Sequence, residues 1–360
     1  MNKQKPAAFN YGRDKLASGW MSSPVGPVPV VSTKLNLRDI MGTVLVRCAM
    51  GRMQYAIEPG LYAVGAPKAE SPVLVSANYK LSFDHLRRNL GGIDAWILVL
   101  DTNGINVWCA AGKGTFGTNE LVGRVEAAKL SAVVSSRRLI LPQLGAPGVR
   151  AHEVTRQTRF TVVYGPVRAA DIRGFLDAGM KATKEMRRVR FNLADRAVLI
   201  PVEMLIGFTQ IIAVAASLVV LGGFSLQGLS IDRAAAWAPF EAAMALGAFI
   251  VPVILFPMLL PWLPGRAFAV KGAWLGFLLA AILYLAAFNG KIHFSGQLEL
   301  YGWMVAIIVL SSVLGMNFTG ASTYTSLSGV YKEMKTAVPI QKALTVIAAI
   351  LWVAGRLTNI

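Results

Sequence analysis

The sequence predicts an α/β domain followed by an all-α transmembrane domain of five helices. Three observations carry this. Of 360 residues, 54% are hydrophobic and only 15% are charged, and the mean hydropathy is positive, as in membrane proteins. Charge is unevenly divided: residues 1–197 hold 28 Lys and Arg against 14 Asp and Glu, a net of +14, whereas residues 198–360 hold 8 against 5. Apolar runs in the first half are strand-length and alternate with helical patterns, whereas those in the second half approach the ~20 residues that cross a bilayer.

Residues 1–55 read as a variable or weakly folded lead-in, because Pro24, Pro27 and Pro29 stand among Ser and Gly as in linkers. A domain over residues 56–180 follows. Val73–Ser76 is a predicted strand, and Phe83–Leu90 a helix with Ser82 as N-cap. Ala95–Leu100 is a second buried strand, closed by the turn Asp101–Gly104. Thr118-Asn119-Glu120 opens an amphipathic helix through about Val134. Leu139–Leu141 and Phe160–Tyr164 are strands ended by Pro142 and Gly165-Pro166, and Ala169–Ala178 is a short helix. This alternation predicts a Rossmann-like sheet with helices on both faces, where ligands sit beyond the carboxyl ends of the strands. A basic linker, 181–197, includes Lys181–Arg190, read as a helix that meets anionic lipid or docks an acidic redox protein.

Five spans are expected at about 198–222, 237–260, 268–288, 301–318 and 338–355. Pro252 and Pro257 predict a kink in the second. Trp237, Trp262, Trp274, Trp303 and Trp352 fall at or near span ends, as interfacial anchors would. Arg187, Arg188, Arg190 and Arg196 precede the first span, and Arg266, Lys271, Lys332, Lys335 and Lys342 mark the even loops, against Arg233 and Lys291 in the odd ones. The positive-inside rule then puts the N-terminal domain in the cytoplasm and the C-terminus outside. Met1–Gly19 lacks an apolar core, so no cleaved signal peptide is expected. Glu203 and Glu241 lie near span starts, where solvation accounts for them as well as function does. No chain of acidic and basic groups typical of a proton-coupled pump stands out.

Only two cysteines occur, Cys48 and Cys109, which is no disulfide framework; a functional thiol fits a reducing compartment. Cys109 lies in Asn106-Val107-Trp108-Cys109-Ala110-Ala111-Gly112-Lys113. Asn106 can cap a helix, and the small residues would let a flat ligand approach the backbone. A buried cysteine of no chemical role is the plain alternative. A P-loop is excluded, since Val107 stands where its first Gly belongs and Lys113 is followed by Gly114. A zinc site is excluded by the absence of paired Cys and His. No DxHxxG pattern occurs either, so a ligand here uses Cys109 or no side chain.

This octapeptide, with Gly104-Ile105 before it and Gly114-Thr115-Phe116-Gly117 after it, resembles the cap-helix signature of the mercury-methylating corrinoid proteins (the HgcA family). Those are related to the corrinoid-binding domain of the corrinoid iron–sulfur protein large subunit. The resemblance implies a cobalamin-type corrinoid held by Asn106–Lys113 and Thr115, with the Cys109 thiolate as lower axial cobalt ligand. It implies methyl transfer from cobalt to Hg(II). A soft, strong donor trans to the methyl group would favour that release, and a helix beginning at Asn106 would favour the thiolate. Lys113 could add positive charge or be an exposed helix-end lysine. Trp108 is expected to pack into the sheet. Asn78-Tyr79-Lys80 and Leu141–Gly148, with Asn78, Gln143 and Gly145, also look like the family's domain; corrinoid contact and turn or packing roles both stay open for them.

The cycle needs electrons, and the chain has no cysteine cluster for an iron–sulfur centre. The resemblance therefore implies a ferredoxin-like iron–sulfur partner (HgcB-type) and a methyltetrahydrofolate-type methyl donor. The basic first half suits such a partner electrostatically. No nucleic-acid motif occurs, and membrane lipid is the remaining expected contact. Asn317–Gly329, rich in hydroxyls, reads as a solvated loop or as the lining of a site. Two alternatives stand beside the main reading: a corrinoid methyl carrier with a different acceptor, and a transporter with a regulatory α/β domain.

Overall fold

Two apolar runs, Val73–Ala77 and Ala95–Leu100, lie side by side as parallel strands, and every one of their residues is buried. Continuous apolar strands arise where a sheet is covered on both faces. The computed structural model describes residues 9–225, 228–321 and 327–358, which divide into two units, Met1–Val189 and Arg190–Ile360. In the first, β1 (Phe9–Tyr11) pairs in parallel with β4 (Tyr55–Ile57). The remaining strands are β2 (Ala17–Met21), β3 (Val28–Val31), β5 (Gly60–Val64), β6 (Val73–Ala77), β7 (Ala95–Leu100), β8 (Arg138–Leu141) and β9 (Thr161–Tyr164). They form one sheet in the order β2-β3-β5-β7-β6-β8-β9. β7, β6, β8 and β9 run parallel, and β5 runs antiparallel to β7. Leu98, Leu100, Phe116, Leu121, Leu139 and Phe160 build the core on one face; Leu74, Phe83, Ile97, Val99, Ile140 and Phe175 build it on the other. The expected α/β architecture is therefore present.

Several boundaries differ from expectation. The stretch read as a lead-in supplies β2 and β3 to the sheet and a helix, Leu37–Arg47. Pro29 is tolerated because β3 lies next to the sheet's edge and bridges to β5 at Val30–Ala63 alone. The first connecting helix begins at Lys80, with Tyr79 rather than Ser82 at its N-cap. The helix expected through Val134 stops at Ala127; Lys129 takes a left-handed φ of 43° before a short turn, Leu130–Val133. Lys181–Arg190 forms turns rather than a basic helix. Like charges three and four apart disfavour a helix there.

The early shift of the Lys80 helix has a cause. Lys80, Asp84 and Arg87 are buried charges at helical spacing, and they meet Asp39 of the Leu37–Arg47 helix. Lys80 Nζ donates to Asp39 and Asp84, both at 2.6 Å, and Arg87 donates to the same two carboxylates at 2.7 Å. Asp39 also closes a capping box with Asn36. Two cations thus balance two anions, and Lys80 lies 5.0 and 5.3 Å from the Tyr11 and Tyr55 ring centres. Burial pushes the Asp39 carboxyl up, but hydrogen bonds from Lys80 and Arg87 more than offset it and hold it below its ordinary 3.8.

The second unit contains five helices long and apolar enough to cross a membrane: Leu193–Leu221, Ile231–Leu259, Phe268–Phe288, Gln297–Gly320 and Ser328–Leu357. Gly272 and Gly276 let the third and fourth touch, since a Cβ there would stand 2.2 Å from Ser311 O and 2.5 Å from Ile308 Cα. Two expectations fail in this unit. Trp303 and Trp352 are buried in the bundle rather than placed as interfacial anchors. Glu241 is not solvated: it is fully buried and paired with Arg356, which also lies 2.9 Å from the buried Glu299 and 4.1 Å from the Trp237 ring centre. Charges from the second, fourth and fifth spans thus converge, because an unpaired charge in hydrocarbon is costly. Residues 322–326 of the hydroxyl-rich Asn317–Gly329 segment lie outside the described residues; Phe318–Ala321 forms a 3-10 turn and the last helix begins at Leu327.

Two outcomes follow. Lys80→Met leaves two buried carboxylates sharing the one Arg87 cation and should cost about 3–5 kcal/mol in thermal melts at pH 7. The Asp39 contribution, whose folded pKa is depressed, is full above its ordinary value of 3.8 and fades as pH falls through the lower folded value; the variant should therefore show a shallower acid loss than wild type. Arg356→Gln should lower the melting temperature of the full chain in detergent markedly, whereas Lys291→Gln, at an exposed position, should leave stability within about 0.5 kcal/mol of wild type.

Candidate functional site

Three strands end at one edge of the sheet. β6 gives way to Asn78-Tyr79-Lys80, β7 to a turn and the helix Val107–Lys113, and β8 to the 3-10 turn Gln143–Gly148. β6 lies between β7 and β8, so the chain passes from β6 to β7 on one side and then crosses back past β6 to β8 on the other. Such a switch point opens a crevice beyond the carboxyl ends. The three segments likened to the corrinoid-binding domain, Asn78–Lys80, Asn106–Lys113 and Leu141–Gly148, all come to this edge.

Asn78 organises it. Its buried Oδ1 accepts from the Thr102 N–H at 3.0 Å and the Gly104 N–H at 3.0 Å, and lies 2.9 Å from the Thr102 hydroxyl. Its Nδ2 donates to Asp101 Oδ1 at 3.1 Å. Asn103 and Gly104 take left-handed φ angles of 57° and 69°, which Asn and Gly adopt most readily. Asn78 is therefore a positioning residue whose hydrogen-bonding capacity is spent on the turn.

That turn delivers Asn106, whose Oδ1 accepts from the Cys109 N–H at 2.9 Å, the expected cap. The helix ends at Gly114 with φ 80°. Thr115 is half-buried, its hydroxyl 3.4 Å from Ala110 O. Ala110 and Ala111 face the core, while Val107 packs partly against it. Gly145 and Gly148 hold the helix close from behind: a Cβ at Gly148 would stand 2.1 Å from Phe116 O and 3.0 Å from Ala111 Cα, and one at Gly145 would stand 2.5 Å from the Phe116 ring. Gly145 is thus a packing residue. Gln143 accepts from Arg187 Nη1 at 3.0 Å.

The outer face carries Trp108, Cys109, Gly112 and Lys113, all exposed. The expectation that Trp108 packs into the sheet fails: it is 40% exposed, because the inward positions are taken by Ala110 and Ala111, whose small size brings the helix too close for an indole. Cys109 is an exposed free thiol, not a buried apolar filler. A Cβ at Gly112 would meet nothing within 4 Å. Tyr79 is buried nearby; burial pushes its phenol up, Arg52 and Arg47 pull it down, and Cys109 is close enough to raise it. The Arg47 Nε is buried without a hydrogen-bond partner among the described residues. Tyr79 belongs to the run Asn78-Tyr79-Lys80 that the sequence offers for corrinoid contact, whereas Arg47 and Arg52 are not among the expected site residues. The two arginines belong to the stretch read as a lead-in, and nothing in their spacing points to Cys109.

Residues 38–176 match the family model described as CdhD, CO dehydrogenase/acetyl-CoA synthase delta subunit. This stretch includes the whole edge just described. The chain is 32% identical over 128 residues to the acetyl-CoA decarbonylase/synthase complex subunit gamma of Archaeoglobus fulgidus, covering 35% of this chain and 27% of that protein. It is 31% identical over 123 residues to the subunit of the same name in Methanopyrus kandleri, covering 34% and 26%. For that of Methanocaldococcus jannaschii the identity is 30% over 127 residues, covering 35% and 26%. The chain thus spans about a quarter of the length of these relatives, and the family-model match, residues 38–176, falls within its α/β unit.

Asn78→Ala should cost about 1–3 kcal/mol by leaving the Thr102 and Gly104 amides without their acceptor. Hydrogen exchange should quicken across residues 102–109 while β6 and β7 stay protected; uniform quickening would mean a general loss of fold instead.

Proposed function

We propose that the α/β unit holds a cobalamin-type corrinoid, with the Cys109 thiolate as its lower axial ligand, and passes the corrinoid's methyl group to Hg(II). The observation that carries the reading is an exposed thiol on a capped helix at the switch-point edge, inside the stretch similar to subunits of acetyl-CoA-forming complexes. Binding of a corrinoid for methyl transfer is the broader part of the reading. Mercury and cysteine ligation form its narrower part, which rests on the octapeptide around Cys109.

The residues fit such a group. Cys109 offers a soft donor suited to a transition metal. Gly112 leaves open space beside it, and Trp108 offers an exposed apolar surface. The buried Arg47 Nε has no acceptor among the described residues, as a group facing an anionic substituent would. Val107–Lys113 and Thr115 would form the cradle, with Asn78, Gly145 and Gly148 holding its shape. When bound, the corrinoid supplies the organometallic methyl-transfer chemistry. The chain's part is to fix the donor. Asn106 engages the Cys109 amide and thereby sets the first turn on which the sulfur is carried. The helix start and Lys113 add positive character around the thiolate. Tyr79, held above its ordinary titration range by burial, stays neutral and adds no competing charge.

The reading includes a ferredoxin-like iron–sulfur electron donor, a methyltetrahydrofolate-type methyl donor, and a multi-pass placement in the cytoplasmic membrane with the α/β unit inside. A second reading is favoured by the relatives' names: a membrane-held corrinoid methyl carrier whose acceptor is not mercury.

The test uses the full chain in detergent, loaded with methylcobalamin and given Hg(II). Wild type should form methylmercury, and Cys109→Ala should form at least about tenfold less while melting at the same temperature. Corrinoid binding without methylmercury would favour the second reading. No corrinoid bound by a folded protein would overturn both.

A further inference from the structure

A cavity of about 630 Å³ opens between the third, fourth and fifth spans, at the end of the bundle reached by the connection between residues 260 and 268. Its walls are apolar, formed by Val270, Ala273, Ile308, Ile340 and Leu344; Arg266 and Lys332 stand at its mouth. The polar groups within it are already matched. Ser312 Oγ donates to Ala269 O at 2.9 Å, Gln341 Nε2 donates to Ser312 Oγ at 3.0 Å, and Glu333 accepts from the Ala269 N–H. Glu333 thereby places its charge at the start of the third span, where a helix N-terminus stabilises it.

The cations divide differently. Lys271 donates to Leu260 O and Leu263 O at 2.8 and 2.6 Å, closing the end of the second span. Arg266 and Lys332 are exposed and form no ion pair among the described residues. Two uncommitted cations therefore stand over an apolar slot whose inner polar groups need no ligand. This is the charge and shape complement of an anionic phospholipid. A guanidinium and an ammonium bind phosphate oxygens well, and basic pockets between spans hold acidic headgroups.

We infer that this cavity is a specific site for an anionic phospholipid. Its phosphate lies between Arg266 and Lys332, and its acyl chains lie along the third, fourth and fifth spans. A zwitterionic lipid brings a choline cation towards the same two charges and should bind less well. Free glycerol phosphate lacks the chains and should gain little.

The test is thermal melting of the full chain in neutral detergent, with phosphatidylglycerol, phosphatidylcholine or glycerol 3-phosphate added. Phosphatidylglycerol should raise the midpoint by about 4 °C and the other two by less than about 1 °C. The double variant Arg266→Gln/Lys332→Gln should lose most of that rise; both side chains are exposed, so the variant should fold. Lys291→Gln, in the connection at the other end of the third span, should keep it. Native mass spectrometry should show phosphatidylglycerol retained by wild type and shed by the double variant. An equal rise with phosphatidylcholine, the same rise with glycerol 3-phosphate, or a full rise in the double variant would overturn the proposal.

Discussion

The site depends on one buried side chain. Asn78 ends β6, yet its amide oxygen terminates the donors of the turn that follows β7. A carbonyl oxygen that already accepts from two backbone amides has both lone pairs engaged, so its contribution is positional. Because the turn is fixed, Asn106 arrives where it can cap the helix, and Cys109 is carried outwards on the first turn. Without a reason to hold Asn103 and Gly104 in left-handed backbone, the thiol would sit on a mobile loop. The proposed role of Cys109 as a cobalt donor needs such a rigid carrier, because a ligand keeps its geometry only when its supports are locked.

Behind the same edge, charge does what apolar packing does elsewhere. Lys80 and Arg87 bridge Asp39 and Asp84, tying the Leu37–Arg47 helix to the helix that follows β6. The same Lys80 helix carries Tyr79 at its N-cap, close to Arg47 on one side and to Cys109 on another. A buried ion pair is a weak source of net stability, but it fixes register, because a misplaced partner leaves an uncompensated charge. The Glu241–Arg356–Glu299 cluster applies the same rule in the membrane unit. In hydrocarbon the penalty for a wrong alignment is greater, and the cluster sets which spans touch.

Much of this was legible in the sequence, for definite reasons. Val73–Ala77 and Ala95–Leu100 are unbroken apolar runs, and buried parallel strands read that way. The span Phe268–Phe288 was bounded to the residue because Arg266 and Asn289 punctuate it. Asn106 and Cys109 were visible because capping and ligation are local chemistry. What was hidden depends on distance in sequence. Asp39 and Lys80 are 41 positions apart, and Glu241 and Arg356 are 115 apart; charged residues at helical spacing look solvated until a partner appears. The first 55 residues were hidden because prolines and glycines suggest a linker, although an edge-proximal strand tolerates them. Trp108 misled because an indole is usually an inward residue, and only the paired alanines reveal that the helix lies too close to the sheet for one.

The central claim is that Cys109 sulfur binds cobalt. X-ray absorption at the cobalt edge of the full chain loaded with corrinoid addresses it directly. The account predicts one sulfur in the first coordination shell of wild type, replaced by a lighter scatterer or by a vacancy in Cys109→Ala. A wild-type cobalt shell of nitrogen, oxygen and carbon alone, unchanged by the substitution, would contradict it.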